Sequence, residues 1–280
     1  MKHFIIGFLI LCTCFSNIHA QRREPSTVEL GLMGGLSIYS GDLSPQELGL
    51  YFKGLNPAVG VFGRYNANKA LALRLGLSFT KLDGDDAVTG IPERSLNFRT
   101  KLVEVALTGE WNFLMLGDPK KFHLSPYLFA GVGIYHFNPE GRYDGGWIEL
   151  QPLGTEGQGL PGYEAPYKLT QFSVPFGMGI KFFLNRTITL GLEFGPRKLF
   201  TDYLDDISHA TVNYFDILEG NGTLAAIMSN PTLKEPNPDN VDYFRGGKYL
   251  DWYYLGGLTI SVKLDNSDRL SGRGIGCPTF

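Results

Sequence analysis

The sequence predicts an all-β protein: an eight-stranded antiparallel transmembrane β-barrel with long extracellular loops and a periplasmic C-terminal tail. Three observations lead there. Eight segments between residues 28 and 264 alternate apolar and polar side chains. The gaps between them alternate short and long, the rhythm of a membrane barrel with turns on one side and loops on the other. An N-terminal secretory signal precedes them and takes the chain out of the cytoplasm.

The signal has the charged start Met1-Lys2-His3, an apolar run over 4–11, and Asn17-Ile18-His19-Ala20 before Gln21. Cleavage is expected after Ala20; a lipoprotein reading through Cys14 fits poorly with Cys12 and Thr13 before it. The domains are then signal peptide 1–20, barrel 21–264 and tail 265–280. No mature stretch reaches the ~18 apolar residues of a membrane-spanning helix. The 280 residues carry 19% charged side chains and 36 glycines, which favours packed strands over disorder. A net charge of −3 argues against a nucleic-acid partner.

The first segment, 28–39, sets Val28, Leu30, Leu32, Leu36 and Ile38 against Glu29, Gly31, Met33, Gly35 and Ser37. The second, 57–65, sets Val59 and Val61 against Gly60 and Arg64. The third, 71–80, alternates strictly, which argues for different solvents on its two faces. The fourth spans 100–115. The fifth, 121–137, is less clean, because Tyr127, Phe129 and Tyr135 share a face with Gly131 and Gly133. The sixth, 168–184, points Phe172, Phe176, Met178 and Phe182 outward, and its Pro175 weakens a central strand or marks a bulge. The seventh is 187–200 and the eighth 249–264. Each is long enough for the ~9–11 tilted residues that cross a bilayer.

The polar face collects Glu29, Glu104, Glu110 and Glu193 with Arg64, Arg74, Lys181 and Lys263. An eight-stranded barrel is just wide enough for side chains to fill, and charges buried there must pair. A plugged lumen is therefore expected, with Arg74 facing carboxylates such as Glu104. The alternative is a soluble lipocalin-like barrel with its polar face outward. Tyr39, Tyr65, Trp111, Phe113, Phe137, Phe200, Tyr203, Trp252 and Tyr254 sit near strand ends, as interfacial girdles do. The longest gap, 201–248, contains a short helix at 223–228 capped by Thr223, and a loop of that length is functional or disordered.

Catalytic constellations are missing. His123, His136 and His209 are isolated, without metal-ligand spacing. The glycine pairs 131/133 and 177/179 lie mid-strand and open no helix, so they are not nucleotide loops. Two acidic clusters, Asp83/Asp85/Asp86 and Asp202/Asp205/Asp206, offer oxygens of the kind Ca²⁺ takes, though solvated loop acids are commoner. No enzyme activity, cofactor, metal or small-molecule substrate is expected. The mature chain keeps one cysteine, Cys277, and a lone thiol in an oxidising compartment is either free or paired with another protein.

Three stretches carry a family resemblance: Tyr39-Ser40-Gly41-Asp42-Leu43, Phe200-Thr201-Asp202-Tyr203-Leu204-Asp205-Asp206, and the ending Gly274-Ile275-Gly276-Cys277-Pro278-Thr279-Phe280. Together they resemble the PorG family, outer-membrane components of the Bacteroidetes type IX secretion and gliding machinery. The ending is the most specific of the three. The resemblance implies a structural barrel, both termini in the periplasm, that anchors the periplasmic ring of PorK and PorN (GldK and GldN in gliding bacteria). It implies partner contact through Gly276, Cys277, Pro278 and Phe280, with Cys277 in a mixed disulfide to a ring lipoprotein. Expected partners are outer-membrane lipid, that lipoprotein and the ring protein. The rival function is a general OmpA- or OmpW-like barrel acting as a passive channel or surface adhesin.

Overall fold

The computed structural model describes residues 26–264 apart from 46–48, 51, 53, 90–93, 118–121, 234, 238–239 and 248. The expected signal 1–20 and tail 265–280, with Gly276, Cys277, Pro278 and Phe280, lie outside the described residues. In chain order the strands are β1 (Thr27–Ser40), β2 (Asn56–Asn66), β3 (Leu71–Asp85), β4 (Asn97–Asn112), β5 (Leu116–Gly117), β6 (His123–His136), β7 (Pro139–Tyr143) and β8 (Gly146–Glu149). They continue with β9 (Thr170–Phe183), β10 (Ile188–Leu199), β11 (Thr211–Asn213), β12 (Asp242–Phe244) and β13 (Trp252–Leu264). Three short helices, α1 (Asp86–Thr89), α2 (Tyr214–Gly220) and α3 (Thr223–Ser229), lie in the loops.

Eight long strands close into a ring in the order β1-β2-β3-β4-β6-β9-β10-β13, and β13 pairs back onto β1, all antiparallel. Each strand lies beside its sequence neighbour, the up-and-down order that short turns permit. Following the registers from Leu30 through Gly63, Leu75 and Leu107 to Val132, and then through Val174, Lys198 and Trp252, leads back to β1 at Ser40. That stagger is the shear that tilts strands in a closed barrel. Two of the short turns use one device. The Asn68 side chain accepts from the backbone N–H of Ala70 and Leu71, both at 2.8 Å, and Asn185 does the same for Thr187 and Ile188 at 2.8 Å. An Asx turn of this kind reverses the chain in a few residues.

Apolar side chains face out. Leu75 is 57% exposed, Met178 62% and Leu258 67%, and every barrel strand contributes residues of this kind. A water-soluble monomer rarely shows an apolar patch beyond ~300–600 Å²; here the patch is a continuous belt. Glu29, Arg64, Glu110 and Lys181 face in and are buried. The lipocalin-like arrangement is thereby excluded, and the fold is an eight-stranded transmembrane β-barrel.

Several element boundaries differ from the sequence reading. β3 and β4 run on to Asp85 and Asn97, through what reads as loop, while β4 stops at Asn112 rather than 115. Pro175 makes no bulge. The β6–β9 ladder skips between Ala130↔Phe176 and Gly133↔Ser173 and resumes in the same register, so the missing N–H costs ladder bonds without a shift. Of the expected girdle, Tyr65, Trp111, Phe113 and Phe200 are exposed, and Trp252 and Tyr254 are half-buried. Tyr39 and Phe137 are instead buried inside the molecule, with Tyr203 packed against them. The described part of the long 201–248 segment is folded. Val212, Tyr214, Ile217, Ala225, Ala226 and Val241 form a small core of its own. Its α2 was not anticipated, although Asn213 caps it by accepting from the N–H of Phe215 and Asp216. The expected helix is α3, and its N-cap is Gly222, not Thr223.

The outward belt makes a direct prediction. Leu75→Arg should lower folding stability in vesicles by about 2–4 kcal/mol, the cost of a guanidinium near the bilayer midplane. Urea titration of the vesicle-folded barrel measures it, and an unshifted midpoint would place this face away from lipid.

Candidate functional site

The lumen is filled in two layers. The layer toward the short turns is ionic. Arg64 Nη1 donates to Glu29 Oε2 at 2.8 Å, and its Nε lies 2.9 Å from Glu110 Oε2. Lys181 Nζ lies 2.6 Å from Glu110 Oε2, and Arg74 Nη1 lies 2.6 Å from Glu193 Oε2 and 3.9 Å from Glu110. Tyr127 Oη also donates to Glu193 at 2.8 Å, and Ser261 Oγ to Glu29 at 2.8 Å. These side chains come from all eight barrel strands and meet because the inward parity of each strand points them at one axis.

Glu104 belongs to this set but not as expected. It pairs with Arg197 at 3.4 Å and accepts from Ser173 and Tyr253 at 2.7 Å. Arg74 takes Glu193 instead, because the staggered register lifts Glu104 toward the loop end. Lys263 is half-buried opposite Glu29 at the far end of β13 and is not among the ion pairs of the described residues. The fourth lumen base is Arg197, two residues along the same face of β10 from Gly195; period-two counting from Glu193 would have found it. Four carboxylates still meet four bases. A cavity of about 40 Å³ remains among Arg74, Glu104, Phe129, Glu193 and Arg197, room for a few waters.

The second layer, at the loop end, is apolar. Leu82, Phe98, Leu102, Tyr135 and Tyr253 point inward from the strands, and Leu43, Phe137, Tyr167, Leu204 and Ile207 descend onto them from the loops. Tyr167 stacks on Tyr203 at 4.6 Å between ring centres.

Above this plug the two loop motifs that carry the resemblance bind each other. Tyr39 Oη lies 2.6 Å from Asp205 Oδ2 and 3.0 Å from Asp251 Oδ1. Asp251 Oδ2 accepts from Leu204 N–H at 2.9 Å, and Asp42 Oδ1 from Gly247 N–H at 2.7 Å. Gly41 is required: a Cβ there would lie 2.0 Å from Asp251 Oδ1. Arg94 forks onto Asp86 at 2.7 and 2.8 Å and donates to the backbone carbonyls of Asp42 and Arg245. Arg245 reaches Glu156 at 3.4 Å and Asp206 at 3.6 Å.

Among the described residues, Arg94 and Arg245 thus lie with seven buried carboxylates: Asp42, Asp86, Glu156, Asp202, Asp205, Asp206 and Asp251. One tyrosine proton cannot serve two carboxylates at once, so the Asp205–Asp251 pair favours an additional proton. Burial first, and then the neighbouring carboxylates Asp251 and Asp42, push Asp205 well above the usual range; burial, Asp202 and Asp42 do the same to Asp251. Burial and Asp42 push Asp202 up to about 7. Burial raises Asp206 to about 6, although Arg245 opposes it.

Among the described residues no set of three or more acids, histidines or cysteines is arranged to hold a metal ion. The first acidic cluster is dispersed. Asp83 is bonded to Asn56, Asp85 to the N–H of Ala87, and Asp86 to Arg94. The histidines are also apart: His123 stacks on Phe183, exposed His136 bonds Thr170, and exposed His209 lies 3.5 Å from Asp202.

Arg74→Glu should leave Glu193 without its cation and set a third carboxylate beside Glu193 and Glu110, a loss of about 3–5 kcal/mol. Heat-modifiable gel migration and urea unfolding read it, and wild-type behaviour would count against the pairing. The clasp has the opposite pH dependence from a salt bridge. Its acids titrate higher folded than the ~3.9 of an unfolded aspartate, so the folded clasp holds protons the unfolded segment has released. Its stability is full below about pH 4 and is lost as pH rises through about 6 to 7. Hydrogen exchange of residues 200–251, corrected for intrinsic rate, should be slower at pH 5 than at pH 8, and Asp202→Asn should flatten the difference.

Solved structures similar to the chain are bacterial surface barrels. Neisserial surface protein A has 10% identity over 86% of this chain and 100% of its own, with a TM-score of 0.43. The attachment invasion locus protein Ail of Yersinia pestis has 10% identity over 85% and 97%, with a TM-score of 0.37. The outer membrane protein OprG from Pseudomonas aeruginosa has 12% identity over 86% and 99%, with a TM-score of 0.38. At these scores the likeness is one of general form, and the fold rests on the strand registers above. No curated protein matches the sequence. One family model, described as a domain of unknown function, DUF6089, matches residues 2–225, which takes in seven of the eight barrel strands, β1 to β10, and leaves out β13. The chain belongs to the DUF6089 family.

Proposed function

We propose that this protein is a non-enzymatic structural barrel of the bacterial outer membrane, with its termini in the periplasm and its long loops outside. We propose further that it anchors the PorK/PorN (GldK/GldN) ring of the type IX secretion machinery, as the resemblance implies. The observation that carries the structural reading is the filled lumen. Four paired carboxylates and an apolar plug leave a cavity of about 40 Å³, so the barrel offers a solute no path. A body that is rigid, closed and membrane-held suits an anchor. The motifs at 39–43 and 200–206 are consumed in binding each other at the loop end. Partner contact then falls to the tail, where the odd thiol of Cys277 is a suitable tether.

A second reading, a surface adhesin, draws on the loop end, where Phe244 is 69% exposed and Tyr249 54%. The passive-channel reading is opposed by the lumen.

A deletion strain should lose secretion or gliding while small-solute uptake stays normal; altered uptake with intact secretion would sink the anchor. A membrane pull-down without reductant should recover the ring lipoprotein covalently, and reductant or Cys277→Ser should release it. A monomer-only band on a non-reducing gel of native membranes removes the disulfide. The purified barrel should be silent in planar-bilayer conductance.

A further inference from the structure

Two lysines oppose each other on the outside of the barrel, at the level where its apolar belt ends. Lys81 on β3 is directly across from Lys101 on β4, and both are exposed. Side chains so placed have Cβ atoms only ~4.5–5.5 Å apart, and like charges there destabilise the pair. One step toward the membrane, Phe79 faces Val103 on the same outward side. One step away from it, Asp83 faces Arg99.

The acids at hand do not pair with either lysine among the described residues. Asp83 is held by the Asn56 amide. Glu140 is held by Arg99 at 2.6 Å, and that guanidinium lies 4.2 Å over the Trp147 ring. Neither lysine has an ion-pair partner among the described residues. Two adjacent ammonium groups with no ion-pair partner among the described residues, set just above a lipid-facing surface, stand where phosphates of a leaflet lie.

We propose that Lys81 and Lys101 form a site for the phosphate monoester of an acidic lipid headgroup in the leaflet at the loop end. A monoester carries close to two negative charges at neutral pH. It neutralises both ammonium groups at once, each acting as a compact point charge with several donors. The acyl chains continue down over Phe79 and Val103. The site rests on the membrane reading above.

The full chain, folded in neutral detergent, tests it with three probes: phosphatidic acid, phosphatidylcholine and inorganic phosphate. Native mass spectrometry should show wild type retaining phosphatidic acid at least about tenfold better than phosphatidylcholine. Lys81→Gln/Lys101→Gln should lose that preference. Without acidic lipid the double variant should unfold at the same or a higher urea concentration than wild type, since it has shed a repulsion. With acidic lipid only wild type should gain stability, because only it binds. No preference in wild type, or a preference kept by the variant, overturns the site. Displacement by equimolar inorganic phosphate overturns a lipid source in favour of a free anion. A folded barrel indifferent to phosphatidic acid defeats this inference alone, whereas a chain monodisperse and folded in plain buffer defeats the membrane reading with it.

Discussion

Inside the barrel Glu110 lies between Arg64 and Lys181, 2.9 and 2.6 Å away, with Arg74 at 3.9 Å. Removing charges from water is costly, and their mutual attraction offsets that cost only when the geometry is tight and the remaining lone pairs are bonded. This constraint organises the rest of the structure. Glu110 is on β4, Arg64 on β2, Arg74 on β3 and Lys181 on β9, so the pairs form only when those strands are closed at one register. A one-residue slip in any strand would turn its charges toward lipid and its leucines inward. The lumen network therefore specifies register as much as it stabilises it, and it leaves no channel.

At the loop end the same strands change solvent. Along β3 the outward side chains run Leu75, Leu77, Phe79 and then Lys81, Asp83, while the inward ones run Arg74, Ser78 and then Thr80, Leu82. β4 repeats this, with Arg99 and Lys101 outward and Phe98 and Leu102 inward. Below this level the strand has lipid outside and ion pairs inside; above it, water outside and a hydrophobic core inside. The alternation keeps its period and reverses its sense. A barrel built this way is a membrane protein and a soluble one stacked end to end, joined through Glu104 and Arg197.

The soluble half explains the acidic motifs. Asp202, Asp205 and Asp251 are buried close together, and Tyr39 bridges two of them. Burial and mutual repulsion favour protons on such a cluster, which makes it the pH-sensitive part of the loop end. Residues that read in sequence as a calcium-type cluster are thus the joint between the first and last loops.

Strand number, direction and facing were legible because they depend on a local quantity, the period-two pattern over ten or so residues, and on gap lengths that sort turns from loops. The lumen residues were legible for the same reason: Glu29, Arg64, Arg74, Glu110, Lys181 and Glu193 each occupy the polar parity of a clean strand. Their pairings were not, because partners such as Arg74 and Glu193 are 119 residues apart and meet through the accumulated stagger of the ring. Arg197 was obscured by Pro196 and the nearby strand end, and Lys263 fell too far down β13 to reach the network. The ends of β3 and β4 were hidden because their pattern reverses at the membrane boundary and looks like loss of a strand. The sequence by itself determined an eight-stranded barrel, greasy without and charged within, since hydrophobic patterning is written residue by residue. Only the tertiary structure decided which charges pair, how the loop end is sealed and that two distant motifs are one clasp, since these depend on shear and loop packing, which bring together residues remote in the chain.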